Sequence, residues 1–435
     1  MANAMTDLPS GAGVLSAAKR ELLKLMLEKQ GRILAAVNPL APMIVEAMSR
    51  HAELDDAIDP GNAFPPSTGE LHAVLLTGAT GFIGAFLLDE LTRQTSAKIY
   101  CLVRAKDRVE ALARLHRNLH SYLLSSNDYA DRLIPVPADL SQPLAGLSRS
   151  DFDRLAEVID MVVHCGALVK WTQPFRTLRD TNVSGTAEML RLASQFRRKP
   201  FHFISTVGVF SSPDYKRDCV PETEALEDSG TLYTGYAQTK WVAEKMVRTA
   251  GERGLPVSIY RPNTAPDSRT GAFNPNDHIT LMIKGSVQML NGPLWTMQIA
   301  GAPIDYAAKA MVAIALRSDA AGKTFHIVNP RSTPWNELMD WTNAYGYRLR
   351  HTPFDEWRKE LSRNLRQPGD NALRGLAPFF ADAVLDNVRL PLFDCRQTLE
   401  GLAESGVHCP PIDAHFWRTC LTRFVESGFM EGPAA

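Results

Sequence analysis

One stretch limits what this chain can become. Val74-Leu-Leu-Thr-Gly-Ala-Thr-Gly-Phe-Ile-Gly84 is an apolar run that breaks into three glycines and resumes as the amphipathic Ala85-Phe-Leu-Leu-Asp-Glu-Leu91. The pattern predicts a strand, a tight turn and a helix. Gly78 permits the turn, Gly81 lets an anion approach the backbone, and Gly84 lets helix and strand pack closely. A helix that starts this way aims unbonded N–H groups at a dinucleotide pyrophosphate, so Thr77, Gly78, Thr80, Gly81, Phe82, Ile83 and Gly84 are the expected contacts.

Further apolar runs at 99–103, 134–139, 160–167 and 201–204 are separated by helical stretches such as 183–196. This alternation predicts an α/β fold with a doubly wound parallel sheet of Rossmann type. Arg104 follows the second run, where NAD-preferring folds place a carboxylate for the ribose 2′-hydroxyl. A guanidinium there suits a 2′-phosphate, with Arg114 as a second side of the clamp, so NADPH is the expected cofactor. Arg114 is equally readable as an ordinary surface arginine. Asp139 and Leu140 are placed at the adenine, and Gly166 and Ala167 where the cofactor passes closely, although a plain strand-end turn also explains them.

Composition excludes other classes. A formal net charge of −1 over 435 residues provides no basic surface for nucleic acid. No apolar run is long enough to span a membrane and no signal peptide opens the chain. The six cysteines lack CxxC spacing, which implies free thiols in a cytoplasmic protein and no metal. Residues 1–68 read as an N-terminal helical extension and linker, 69–262 as the NADP-binding domain, and 263–435 as a smaller, mostly helical substrate lobe, with 303–330 returning to the first domain. The tryptophans Trp335, Trp341, Trp357 and Trp417 fall in that lobe at helical spacing and are expected in its core.

Chemistry enters with Tyr236-Ala-Gln-Thr-Lys240, which opens a helical stretch some thirty residues after the strand-end pair Ser205-Thr206. The spacing of four puts phenol and ammonium on one helix face, where the cation is expected to lower the phenol pKa and bond a cofactor ribose.

With the glycine turn, the set Thr206, Tyr236 and Lys240 resembles the extended short-chain dehydrogenase/reductase superfamily. A narrower resemblance spans most of residues 70–430. It is carried by Leu75 to Leu88, Tyr100-Cys-Leu-Val-Arg-Ala105, His164-Cys-Gly-Ala-Leu-Val-Lys-Trp171, Asn182-Val-Ser-Gly-Thr-Ala-Glu188, Gly235 to Glu244, Ile259-Tyr-Arg-Pro262 and Pro303-Ile-Asp-Tyr-Ala307. These are similar to the thioester reductase (R) domains of nonribosomal peptide and polyketide synthetases and of carboxylic acid reductases. The resemblance implies hydride delivery from NADPH to an acyl or peptidyl thioester on the phosphopantetheine arm of a carrier protein, giving an aldehyde or, after a second reduction, an alcohol. It places Thr206 and Tyr236 at the oxyanion, Lys240 at the ribose and Pro262 beside the cofactor, and it implies a protein that acts as a monomer. No phosphopantetheine-accepting serine is found, so the carrier lies outside this sequence.

Two departures from the family pattern, Lys170 and Asn263, fall on the substrate side together with Ser205. The stretch 207–234, with its acidic run from Glu222 to Asp228, has the length of a lid. A fatty acyl-CoA reductase and a non-catalytic NADP-binding sensor or scaffold are the competing readings. Nucleotide-sugar epimerisation is disfavoured by Arg104.

Overall fold

The computed structural model describes residues 41–66, 69–125, 131–212, 215, 217–232, 234–366, 369–377 and 391–434. The helical pattern at 15–40 and part of the expected lid (213, 214, 216 and 233) lie outside the described residues. Seven parallel strands form the sheet: β1 (Ala73–Thr77), β2 (Lys98–Val103), β3 (Leu133–Pro137), β4 (Met161–His164), β5 (Phe201–Ile204), β6 (Val257–Pro262) and β7 (Thr324–Ile327), in the order β7-β6-β5-β4-β1-β2-β3. This is the doubly wound α/β sheet expected of the sequence. The strand order reverses beside β1, which pairs with β2 on one side and β4 on the other, and ligands of such sheets bind at the carboxyl ends there.

Strand alternation divides the core into two layers. Val74, Leu76, Ile99, Cys101 and Val103 face one layer, covered by α2 (Phe82–Gln94), α3 (Arg108–Ser121) and α8 (Ile304–Ala315). Ala73, Leu75, Leu102 and Val162 face the other, covered by α4 (Arg149–Val158), α5 (Gly185–Ser194) and α6 (Gly235–Glu252). Both faces are therefore dry, which explains why the strands read as continuous apolar runs.

The end of the N-terminal extension is anchored. Met48 of α1 (Ala41–His51), with Leu54 and Ile58, is buried in the second layer. Arg253, just past α6, donates to the carbonyls of Leu54, Asp55 and Ile58 and to the Asp56 carboxylate.

After β6 the chain crosses through Thr264–Ala265, which pairs in parallel with Ala302–Pro303, into a lobe holding α7 (His278–Met289), α9 (Trp335–Tyr345), α10 (Phe354–Asn364) and α11 (Ala414–Glu426). Trp335, Trp357 and Trp417 are buried at its centre, whereas Trp341 is only partly buried. All six cysteines are free; Cys101, Cys395 and Cys420 are buried, and Cys219 is exposed. Among the described residues no helix is long and apolar enough to cross a membrane.

The acidic run is anchored rather than lid-like. Glu222, 3% exposed, accepts bonds from the N–H groups of His326, Gln397 and Thr398 and from the Thr398 hydroxyl. Leu226 is in the core and its carbonyl accepts from Trp241 Nε1 at 2.9 Å. A segment that satisfies buried partners in this way cannot open without stranding them.

Candidate active site

The glycine turn has the geometry its residues demand. Gly78 adopts φ +79°, and a Cβ there would sit 2.8 Å from the backbone of Cys165 and Gly166 at the end of β4. A Cβ on Gly84 would lie 2.0 Å from the Gly78 carbonyl oxygen, so its close approach is to the turn more than to the strand. On Gly81 the one near atom would be that same oxygen, at 3.3 Å, and the outward side is bare. No side chain caps the start of α2 at Gly81. A bare, positively polarised helix start beside a Cβ-free surface fits a dinucleotide phosphate. Thr80 and Ile83 are half-buried on this rim, and Phe82 packs edge-on against Tyr122 at 5.1 Å. Asn118 of α3, not singled out from sequence, holds the turn by donating to the carbonyls of Ala79 and Gly81 at 3.0 and 3.1 Å.

Thr77 is the exception among the predicted contacts. Its side chain is fully buried and committed to the seam between β1 and β4, so its role is to hold the wall rather than touch a ligand. The Thr186 hydroxyl donates to the Asn182 carbonyl (2.7 Å), so it accepts from His164 Nε2–H (3.0 Å). His164 Nδ1 then accepts from the Thr77 hydroxyl (2.7 Å), which itself accepts from Gly166 N–H (2.8 Å). Burial, aided by the Lys240 charge, pushes His164 down to about 3, which keeps it neutral in this role.

Arg104 is exposed at the end of β2, and the Arg114 guanidinium donates to its carbonyl, so the two arginines adjoin. Asp139 commits Oδ1 to the N–H and hydroxyl of Ser141. Leu140 packs where Gly166 must lack a Cβ, which would fall 2.6 Å from Leu140 Cδ1. Ala167 follows on the half-buried strand end, and Pro262 is buried at the end of β6 opposite Ile327.

Tyr236 and Lys240 open α6. Thr234 caps the helix by accepting from Ala237 N–H at 3.2 Å, and Gly235 lets it start hard against the 173–175 loop, since a Cβ would be 2.4 Å from the Gln173 carbonyl oxygen. Lys240 Nζ donates to the Ile204 carbonyl at 2.5 Å and lies 4.1 Å from the Phe203 ring centroid. Burial lowers Lys240 to about 8. Tyr236 corrects the sequence expectation: burial raises its pKa well above that of a free phenol. One N–H of the ammonium goes to Ile204, the Trp171 indole meets the phenol edge-on at 5.4 Å, and the hydroxyl keeps its proton. Such a group is an acid and a donor.

Adjacent Ser205 and Thr206 part company. Thr206 Oγ1 is half-buried and accepts from Gly208 N–H at 3.0 Å, retaining its own O–H. Ser205 is 3% exposed and donates to Glu244 Oε2 at 2.6 Å, so its placement on the substrate side is corrected. Glu244, fully buried, also accepts from Arg261 Nη2 (2.6 Å) and Arg248 Nη2 (3.0 Å). Burial alone would push this carboxyl up, but the two guanidinium charges and the bonds outweigh it and bring it to about 2. Asn182, in a π-helical turn, donates to Thr239 Oγ1 (3.0 Å) and the Leu168 carbonyl (3.1 Å), tying the β4 loop to the helix of Tyr236. Lys170 is exposed on the rim next to Trp171, while Asn263 lines a cleft of the C-terminal lobe with Pro266, His278, Met297 and Trp417. The two departures are thus not brought together.

A family model described as "Male sterility protein" matches residues 76–311. The chain is 36% identical over 379 residues to a linear gramicidin synthase of Brevibacillus parabrevis, covering 86% of this chain and 7% of that protein. It is 34% identical over 424 residues to isonitrile lipopeptide synthase of Streptomyces coeruleorubidus, covering 94% and 28%. Among solved structures, the terminal R domain from the myxalamid PKS-NRPS biosynthetic pathway superposes with a TM-score of 0.86 at 43% identity, covering 90% of this chain and 100% of that one. The chain thus spans a small part of each synthetase and the whole of the solved R domain.

Proposed function

Because the chain belongs to the Male sterility protein family and to the NAD(P)-dependent reductases of extended short-chain dehydrogenase type, we propose that it releases an acyl or peptidyl chain reductively, as an aldehyde, from the phosphopantetheine thiol of a carrier protein. The observation that carries this reading is the pairing of a protonated, buried Tyr236 with Lys240 locked to Ile204, two residues before Thr206. NADPH, when bound, supplies the hydride for the thioester carbonyl carbon.

The protein's own part is acid and electrostatic work. Tyr236 donates its hydroxyl proton to the carbonyl oxygen as charge develops there, and Thr206, already accepting from Gly208 N–H, turns its O–H to the same oxygen. Each such donor stabilises the transition state by about 3 kcal/mol. Lys240, charged below about 8, holds the ribose and fixes α6 against β5. The resulting hemithioacetal loses its C–S bond, its hydroxyl proton passes to the departing sulfur, and aldehyde and carrier thiol separate. The exposed Arg104 at the end of β2, with Arg114 bonded to its backbone carbonyl, supports NADPH over NADH, since a guanidinium there pairs well with a 2′-phosphate.

The test is product analysis of the purified protein with NADPH and one acyl group presented on a carrier protein and on CoA. Aldehyde or alcohol from the carrier thioester is expected. Equal efficiency on CoA would instead favour an acyl-CoA reductase, and NADPH binding without turnover of either would leave a sensor or scaffold.

A further inference from the structure

One titratable pair, Asp277 and His278, adjoins Tyr236 through Trp171 and takes no part in the chemistry above. His278 begins α7, and its ring meets Trp171 edge-on at 5.7 Å, while the same indole meets Tyr236 at 5.4 Å. Asp277 caps the helix, its Oδ2 accepting from the Thr280 N–H and hydroxyl at 3.0 and 3.2 Å, and its Oδ1 lies 3.4 Å from His278 Nδ1. With Nδ1 beside Asp277, Nε2 makes no hydrogen bond among the described residues. His278 is exposed enough to meet a ligand, and the Asp277 carboxylate beside it raises the imidazole net, with Asp277 correspondingly lowered. These two are the only charged side chains among the described residues lining the cleft. The rest of its lining includes an apolar wall of Met297, Ile299, Leu338, Phe416 and Trp417.

We propose that His278 is a specificity-determining residue whose Nε2–H donates to a second carbonyl oxygen, keto or amide, carried by the acyl chain beyond the thioester. The cleft then takes chains bearing such a carbonyl in preference to plain alkanoyl chains. This rests on the reductase reading above and refines its substrate. An alkanoyl chain satisfies the apolar wall but offers the His278 N–H no acceptor, and sites built around a polar contact reject analogues that lack it. Trp171 spaces the donor from Tyr236, so the bonded carbonyl is a different one from the carbonyl that Tyr236 protonates.

The experiment compares hexanoyl and 4-oxohexanoyl thioesters on the phosphopantetheine arm of one carrier protein by NADPH oxidation with the full chain, in the wild type, His278→Phe and His278→Gln. His278→Phe keeps a ring against Trp171, and His278→Gln keeps a neutral donor. The wild type is expected to favour the oxo thioester at least tenfold in kcat/KM. His278→Phe should abolish that preference through KM while hexanoyl turnover stays within threefold, and His278→Gln should retain part of it. No preference in the wild type, or an equal loss for both thioesters in His278→Phe, overturns the proposal. Failure to oxidise NADPH with either thioester overturns the reductase reading itself.

Discussion

Replacing Glu244 with glutamine removes one negative charge from a site where the partner Arg261 cannot reach water. Both side chains are fully buried, and the carboxylate accepts from Arg261 at 2.6 Å, Arg248 at 3.0 Å and Ser205 at 2.6 Å. Breaking such a pair from one side costs about 3–5 kcal/mol, because the remaining charge keeps its desolvation penalty. Linkage gives a similar figure: a drop from the ordinary 4.5 to about 2 on folding is worth about 3 kcal/mol. Because the folded pKa is depressed, that stability is fully present above pH 4.5 and is lost as pH falls towards 2. Reversible urea unfolding at neutral pH should therefore show Glu244→Gln destabilised by about 3–5 kcal/mol with an unchanged denaturant slope. Arg261→Met should also be costly, but the double variant should cost at least about 2 kcal/mol less than the sum, since no lone charge is then left inside. A single-variant loss below about 1 kcal/mol, or additivity within about 0.5 kcal/mol, would refute the reasoning.

Other perturbations read the site directly. Tyr236→Phe should lower kcat by about 10²–10³ and leave the NADPH dissociation constant within about twofold; retained turnover would remove the tyrosine from the chemistry. Lys240 is a cation below about 8, so NADPH affinity should weaken as pH rises from neutral through that value, and titration calorimetry should find no such bend in Lys240→Met. Arg104→Ala should weaken NADPH about tenfold to hundredfold while leaving NADH unchanged, and equal losses for both would end the 2′-phosphate assignment.

What a sequence displays follows from how local each signal is. The glycine turn and the Tyr236–Lys240 spacing depend on residues within one turn or helix face, so both are legible directly. Asn182 finds Thr239 across 57 residues and Thr77 finds His164 across 87, and no periodicity announces either contact. Glu222 reads as one member of an acidic run because charge patterning cannot tell a solvated carboxylate from one surrounded by N–H donors. The inward turn of Ser205 is half-legible. Successive strand residues point to opposite sides, so of Ser205 and Thr206 one has to face the interior. The raised phenol pKa is not legible at all, because spacing brings Lys240 to the right face but does not say that a backbone carbonyl will claim its ammonium.

The row of bonds from Gly166 through Thr77, His164 and Thr186 to Asn182 runs in one sense only. Reversing any link would set two donors or two acceptors face to face, so the row holds as a single oriented wire of dipoles. With His164 at about 3, no member gains or loses a proton near neutrality, and the floor beneath the site behaves as an electrical insulator. A proton exchanged at this site near neutrality is thereby taken or given by Lys240, lowered to about 8, and not by this row.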